Sequence, residues 1–104
     1  MEHDIFISYS SKDRDTAFSI CNMLENNNLL CWIAPRNVTG GKSYAREIIE
    51  AINKSTVVLF IFSDNSNKSE HVENEIDNAF SAGKIIIPFR ISDTLISTEL
   101  KSLN

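Results

Sequence analysis

Thr56-Val57-Val58-Leu59-Phe60-Ile61-Phe62 is β-branched or aromatic at almost every position and carries no charge. An unbroken run of this kind reads as a strand covered on both faces. Such a strand needs a layer on either side, and its neighbours in sequence supply them. Upstream, Ala45, Ile48, Ile49 and Ile52 recur at helical spacing. Downstream, Val72, Ile76, Ala79 and Phe80 do the same until Gly83 ends the pattern. Further out, Asp4 to Tyr9 and Leu29 to Ile33 read as short strands, the second stopped before Pro35. Between them Ala17, Ile20, Cys21 and Leu24 mark a helix that ends at Asn26-Asn27-Asn28. Ile85 to Phe89 is a fourth strand. The order βαβαβαβ predicts an α/β fold, a parallel sheet with helices on both faces. Function in such sheets collects in loops beyond the carboxyl ends of the strands. Those loops are Ser8–Asp13, Ala34–Lys42 and Ser63–His71. Ser92 to Asn104 is weakly patterned. The sheet is therefore expected to lack or truncate its last strand and helix, and residues 1–104 to be a single domain of a longer protein.

Composition narrows the function classes. The chain has 104 residues, 42% hydrophobic and 23% charged, with a net charge of −4. Its ten Lys and Arg are spread thinly, which argues against nucleic acid as a direct partner. No apolar run approaches the ~20 residues of a membrane span. Met1-Glu2-His3-Asp4 lacks the pattern of a secretory leader, so the expected location is the cytoplasm. Cys21 and Cys31 form no C-x-x-C motif; a redox or metal site competes there with two buried free thiols.

Several site motifs fail. Gly41-Lys42-Ser43 lies between a strand and a helix, but Arg36 stands where a phosphate-binding loop needs its first glycine. There is no G-x-G-x-x-G and no G-x-S-x-G. His3 and His71 have no metal-ligand spacing with each other or with the cysteines. The third helix is more informative. At 100° per residue, Glu73 and Glu75 flank its apolar arc on opposite edges. His71 lies one turn before Glu75, an i, i+4 pair. A carboxylate at the edge of a buried face can stand partly dry in a cleft. Periodicity does not choose between the two glutamates.

The loops together resemble the TIR domain family. Asp4-Ile5-Phe6-Ile7-Ser8-Tyr9-Ser10 is similar to its first box, and Ser11-Lys12-Asp13 continues it. Cys31-Trp32-Ile33-Ala34-Pro35-Arg36-Asn37-Val38-Thr39-Gly40-Gly41 is similar to the second box and the BB loop. His71-Val72-Glu73-Asn74-Glu75 occupies the family's W-x-x-x-E position. The resemblance implies a flavodoxin-like fold and selects Glu75 as the catalytic residue. It further implies cleavage of NAD+ at the nicotinamide–ribose bond, with NAD+ as substrate and no metal or cofactor. Tyr9, Ser10, Trp32, Arg36, Gly41 and His71 would then contact substrate. Strand alternation does not say which way Trp32 points. The implied role is an effector of prokaryotic anti-phage immunity, activated by oligomerisation with other TIR copies and governed by a sensor domain elsewhere in the full-length chain. The alternative is a non-catalytic TIR–TIR interaction module, an adaptor or a host-mimicking virulence factor. Three positions depart from the family pattern: His71 for Trp, Asn37 for Asp, and Gly40 for Pro. The last is expected to loosen the BB loop.

Overall fold

The computed structural model describes residues 3–91. Four parallel strands form one sheet in the order β2-β1-β3-β4: β1 (His3–Ser8), β2 (Cys31–Trp32), β3 (Ser55–Phe62) and β4 (Ile85–Arg90). The helices are α1 (Arg14–Asn26), α2 (Tyr44–Asn53), the short α3 (Asp64–Asn67) and α4 (Glu70–Ser81). The α/β parallel fold expected from the sequence is the observed one. The expected shortfall at the C-terminal end falls on residues outside those described.

Alternation along the central strands sorts the core into two layers. Phe6, Val58, Phe60 and Phe62 face one side, where Ile48, Ala51 and Ile52 of α2 and Val72, Ile76 and Ala79 of α4 cover them. Ile7 and Ile61 face the other side, against Ala17 and Cys21 of α1. Register fixes Phe6 opposite Val58 and Ser8 opposite Phe60.

Local differences from the sequence pattern have physical causes. Leu29 to Ile33 was expected as a strand, but only Cys31 and Trp32 pair, with Ile5 and Phe6. Asn28 at φ 67° turns the chain, and Leu29 and Leu30 stay exposed at this sheet edge. In α2, Glu47 and Ala51 turn inward with Ile48 and Ile52, while Ala45 and Ile49 face out. In α4 the buried line is Val72, Ile76 and Ala79, and Phe80 is 62% exposed. The buried stripe is narrower than the apolar pattern, and its centre is shifted toward the Glu75 edge.

Candidate active site

Strand order reverses between β1 and β3: the chain leaves β1 for β2 on one side, then crosses to β3 on the other. A crevice opens beyond the carboxyl ends at such a point. Here it is a cavity of about 390 Å³, lined by Tyr9 and Ser11 after β1, Arg14 of α1, Ala34 and Pro35 after β2, and Tyr44, Ser69, His71 and Glu75. That volume lies within the roughly 300–1,000 Å³ usual for small-ligand sites.

Glu75 reaches this wall because α4 lies flat on the sheet through Val72, Ile76 and Ala79. The same packing brings its carboxylate to the end of β1, where the Ser8 hydroxyl donates to Oε1 at 2.7 Å. Ser8 is fully buried and shares the Phe6 face of the strand. Burial pushes the Glu75 carboxyl up to about 7, against the opposing pull of the Ser8 hydrogen bond. The carboxyl thus sits near its switching point at neutral pH. Glu73 lines neither this cavity nor the groove beside it.

Aromatic groups border the carboxylate. The Tyr44 and His71 rings meet edge-on at 6.5 Å. Tyr44, His71 and Glu75 also form one wall of a neighbouring groove of about 370 Å³ between α2 and α4. Tyr9 donates from its hydroxyl to the Ala34 carbonyl and packs edge-on against Phe18. Burial raises the Tyr9 phenol. Also lining the cavity, Arg14 has its guanidinium 4.6 Å from the Phe18 ring centre, a cation–π contact that holds it in place. Arg14 is the one arginine or lysine among the described residues lining the cavity.

Of the residues proposed from sequence, Glu75, Tyr9 and His71 come together at the cavity. Ser10, Trp32, Arg36 and Gly41 do not line it. Ser10 is buried and accepts from the Lys12 amide at 3.3 Å, capping a short 3-10 turn (Ser11–Asp13). Trp32 is buried in the core, stacked on Phe6 with centroids 5.2 Å apart and planes 8° apart. Arg36 is held by Glu25, with both carboxylate oxygens at 2.9 and 2.7 Å, and donates to the Cys31 carbonyl at 3.0 Å. Gly41 is exposed, its amide donating to Thr39 Oγ1 at 3.3 Å.

Sequence reading missed Ser8, Arg14, Tyr44 and Glu47. Ser8 carried a signal, since alternation puts it on the face of Phe6. Arg14 and Tyr44 each open a helix beside a cleft loop, with no pattern to mark them. Glu47 is nearly buried on α2 and holds the loop after β2. Its carboxylate accepts from the Thr39 and Gly40 amides at 2.8 and 2.7 Å and from the Thr39 hydroxyl at 3.0 Å. The Thr39 amide bond, foremost among these, keeps Glu47 below the usual carboxylate range. The loop expected to be loosened by Gly40 is thus gripped at that residue. Gly40 has φ +82°, and proline offers neither that angle nor the amide hydrogen. Asn37, where the family pattern has Asp, keeps an acceptor oxygen that takes the Ile33 amide and Arg36 Nε, both at 3.0 Å.

Segments following neighbouring strands are tied together beside the site. Asp13, after β1, accepts from the Ser63 hydroxyl and from Asn65 Nδ2 at 2.8 Å, joining the segment after β1 to the start of α3. A separate cluster lies behind α1, where Cys21, Glu25 and Cys31 place their ligating atoms within 4.8 Å of one another. Both thiols are free and buried, and burial pushes Cys31 up to about 12.

A curated relative, a probable 2′ cyclic ADP-D-ribose synthase from Methanobrevibacter olleyae, is 34% identical over 80 residues, 76% of this chain. The chain spans about a quarter of that relative's length (24%). The fold matches the TIR domain of a Toll-related receptor from Hydra magnipapillata, with a TM-score of 0.88 at 21% identity, covering 98% of this chain and 81% of the other. It also matches a TIR-STING receptor from C. gigas (TM-score 0.81, 22% identity, 98% of this chain, 36% of the other). The TIR domains of the activated Roq1 resistosome, which recognises the pathogen effector XopQ, give a TM-score of 0.74 at 22% identity over 85% of this chain and 57% of theirs. The sequence model of the TIR domain matches residues 5–104. The chain belongs to the TIR domain family.

Proposed function

We propose that this domain cleaves NAD+ at the nicotinamide–ribose bond, with Glu75 as its catalytic residue. The observation that carries the reading is a half-dry carboxylate, oriented by Ser8 on the wall of the switch-point cavity, whose lining also includes Arg14. The relative named as a cyclic ADP-D-ribose synthase supports the substrate class.

The chemistry asks for little more. Bound nicotinamide is cationic and leaves neutral, because the electron pair of the broken C–N bond goes to the ring nitrogen. No proton donor is needed, unlike the loss of an alcohol from a glycoside. What remains is an electron-poor ribose carbon. Ionised Glu75, facing it in a site of low dielectric, stabilises the developing positive charge. Ser8 fixes the carboxylate in place, so no reorganisation is needed during the reaction. Water then attacks the ribose carbon to give ADP-ribose, or a hydroxyl within the same ADP-ribose does so and closes a ring; either way the nucleophile's proton is released to solvent. Tyr44 and His71 offer ring faces and edges for the nicotinamide. Arg14 provides the cation for the diphosphate; Arg36, expected to contact substrate, is held instead by Glu25.

Activation through self-association fits an effector whose sensor lies elsewhere in a longer chain, acting in prokaryotic immune signalling. A related fold works inside an activated assembly that recognises a pathogen effector, which supports this part of the reading.

The test is incubation of concentrated domain with NAD+ and chromatographic separation of products. Glu75→Gln is expected to lower kcat by roughly a hundredfold or more while circular dichroism stays native. Arg14→Gln is expected to raise KM about tenfold or more, the loss of one charge-assisted contact. Undiminished cleavage by Glu75→Gln would overturn the assignment. A wild type that stays silent even when forced to oligomerise would make the non-catalytic interaction module the better reading.

A further inference from the structure

We infer that Cys21, Glu25 and Cys31 form a binding site for a thiophilic divalent cation of the zinc class, stapling α1 to β2 behind the active-site cleft. Cys21 and Glu25 are one turn apart on α1, an i, i+4 pair that points two ligands the same way. Cys31, the first residue of β2, meets them from the sheet. The two sulfurs and a Glu25 oxygen all lie within 4.8 Å of one another. Around a tetrahedral zinc, with bonds near 2.3 Å to sulfur and about 2.0 Å to oxygen, donor atoms stand roughly 3.5–3.8 Å apart. Closing the cluster therefore takes about 1 Å of side-chain movement, which rotamer adjustment supplies.

The donor set selects the ion. Two sulfurs and one carboxylate suit zinc, cadmium or cobalt and disfavour magnesium or calcium, which require a shell of oxygens. Binding forms two metal–sulfur bonds and one metal–oxygen bond, and each thiol gives its proton to solvent. Two thiolates and a carboxylate carry −3; with the ion the site is −1. The Arg36 guanidinium offsets that charge, because it already touches Glu25 and the Cys31 carbonyl. The sulfurs are fully buried, but the Arg36 and Glu25 side chains are 37% and 30% exposed and form the door. For the ion to reach the sulfurs, Arg36 must release one Glu25 oxygen and keep the other. Water can fill the fourth coordination position from this side. Ala34 and Pro35, which line the active-site cavity, immediately precede Arg36. Ion binding is therefore felt along the loop bordering the cleft.

The experiment titrates the reduced, folded chain with Co2+ and follows the thiolate-to-cobalt charge-transfer band in the near ultraviolet, with Zn2+ added afterwards. One equivalent of Co2+ is expected to build the band, and Zn2+ to erase it and raise the melting temperature. Cys31→Ser should lose the band. Glu25→Gln, at a partly exposed position that leaves the core untouched, should keep a thiolate band but bind at least tenfold more weakly. His3 and His71 give no thiolate band, so histidine binding is told apart. Absence of the band in folded wild type would overturn the site. So would an undiminished band in Cys31→Ser, or equal affinity in Glu25→Gln.

Discussion

At the residue scale, the carboxyl of Glu75 couples reactivity to pH and to folding. Burial holds it near 7 in the folded chain, against about 4.5 when exposed. If the ionised form acts, kcat/KM rises with pH and levels off above about 7. A cationic nicotinamide nearby favours the ionised form, so the kcat profile should lie at lower pH than that of kcat/KM. The effect on stability has the opposite sign. Between pH 4.5 and 7 the folded state holds a proton that the unfolded state has lost, so stability falls as pH rises through this window. A displacement of that size corresponds to on the order of 3 kcal/mol. Urea titrations at pH 5 and pH 8 should show Glu75→Gln free of this component of the pH dependence; an unchanged difference would contradict it. Glu75 was legible in sequence only through the family pattern, since the helical wheel left it level with Glu73. Arg36 shows the limit of such reading. A charged residue in a cleft loop suggested substrate contact, yet a partner eleven residues away in sequence, Glu25, claims its side chain.

At the element scale, the loop after β2 illustrates how one inward-facing residue governs a segment without regular structure. Periodicity marked α2 as a helix but could not show that Glu47 turns inward, because the reason lies in the loop amides of Thr39 and Gly40 that donate to it. Glu47→Ala is expected to leave those amides without an acceptor and to speed hydrogen exchange at both. Gly40→Pro, which restores the common family residue, should also speed exchange at Thr39 rather than stiffen the loop, because the backbone angle and the donated hydrogen are lost together. Slower exchange at Thr39 in the proline variant would refute this account. Helix α4 was legible in sequence through Val72, Ile76 and Ala79, whereas Phe80 was misjudged. An apolar residue at the margin of a stripe is buried only if a neighbouring element reaches it.

At the scale of the whole molecule, the alternation of strands and helices was readable because each element carries its own period. The strand order was not, since it depends on which faces meet in space. β3 lies between β1 and β4 and places Phe60 at the centre of one core layer, fully buried. Phe60→Ala should cost roughly 3–5 kcal/mol in urea unfolding, a large share of the ~5–15 kcal/mol typical of a domain. Phe80→Ala, at a position 62% exposed, should change stability by less than about 0.5 kcal/mol. Similar costs for the two would mean that the core is not where the layers place it.

A sheet with every strand pointing the same way also has a front and a back. His3 begins β1 and Ser8 ends it against Glu75, so the first described residue and the carboxylate stand about 17 Å apart along the strand, on opposite ends of the sheet. A tether joined ahead of His3 would fix the molecule to an electrode or bead by its back. The mouth of the cleft would then face the flowing solution, which suits this arrangement to an oriented sensor surface.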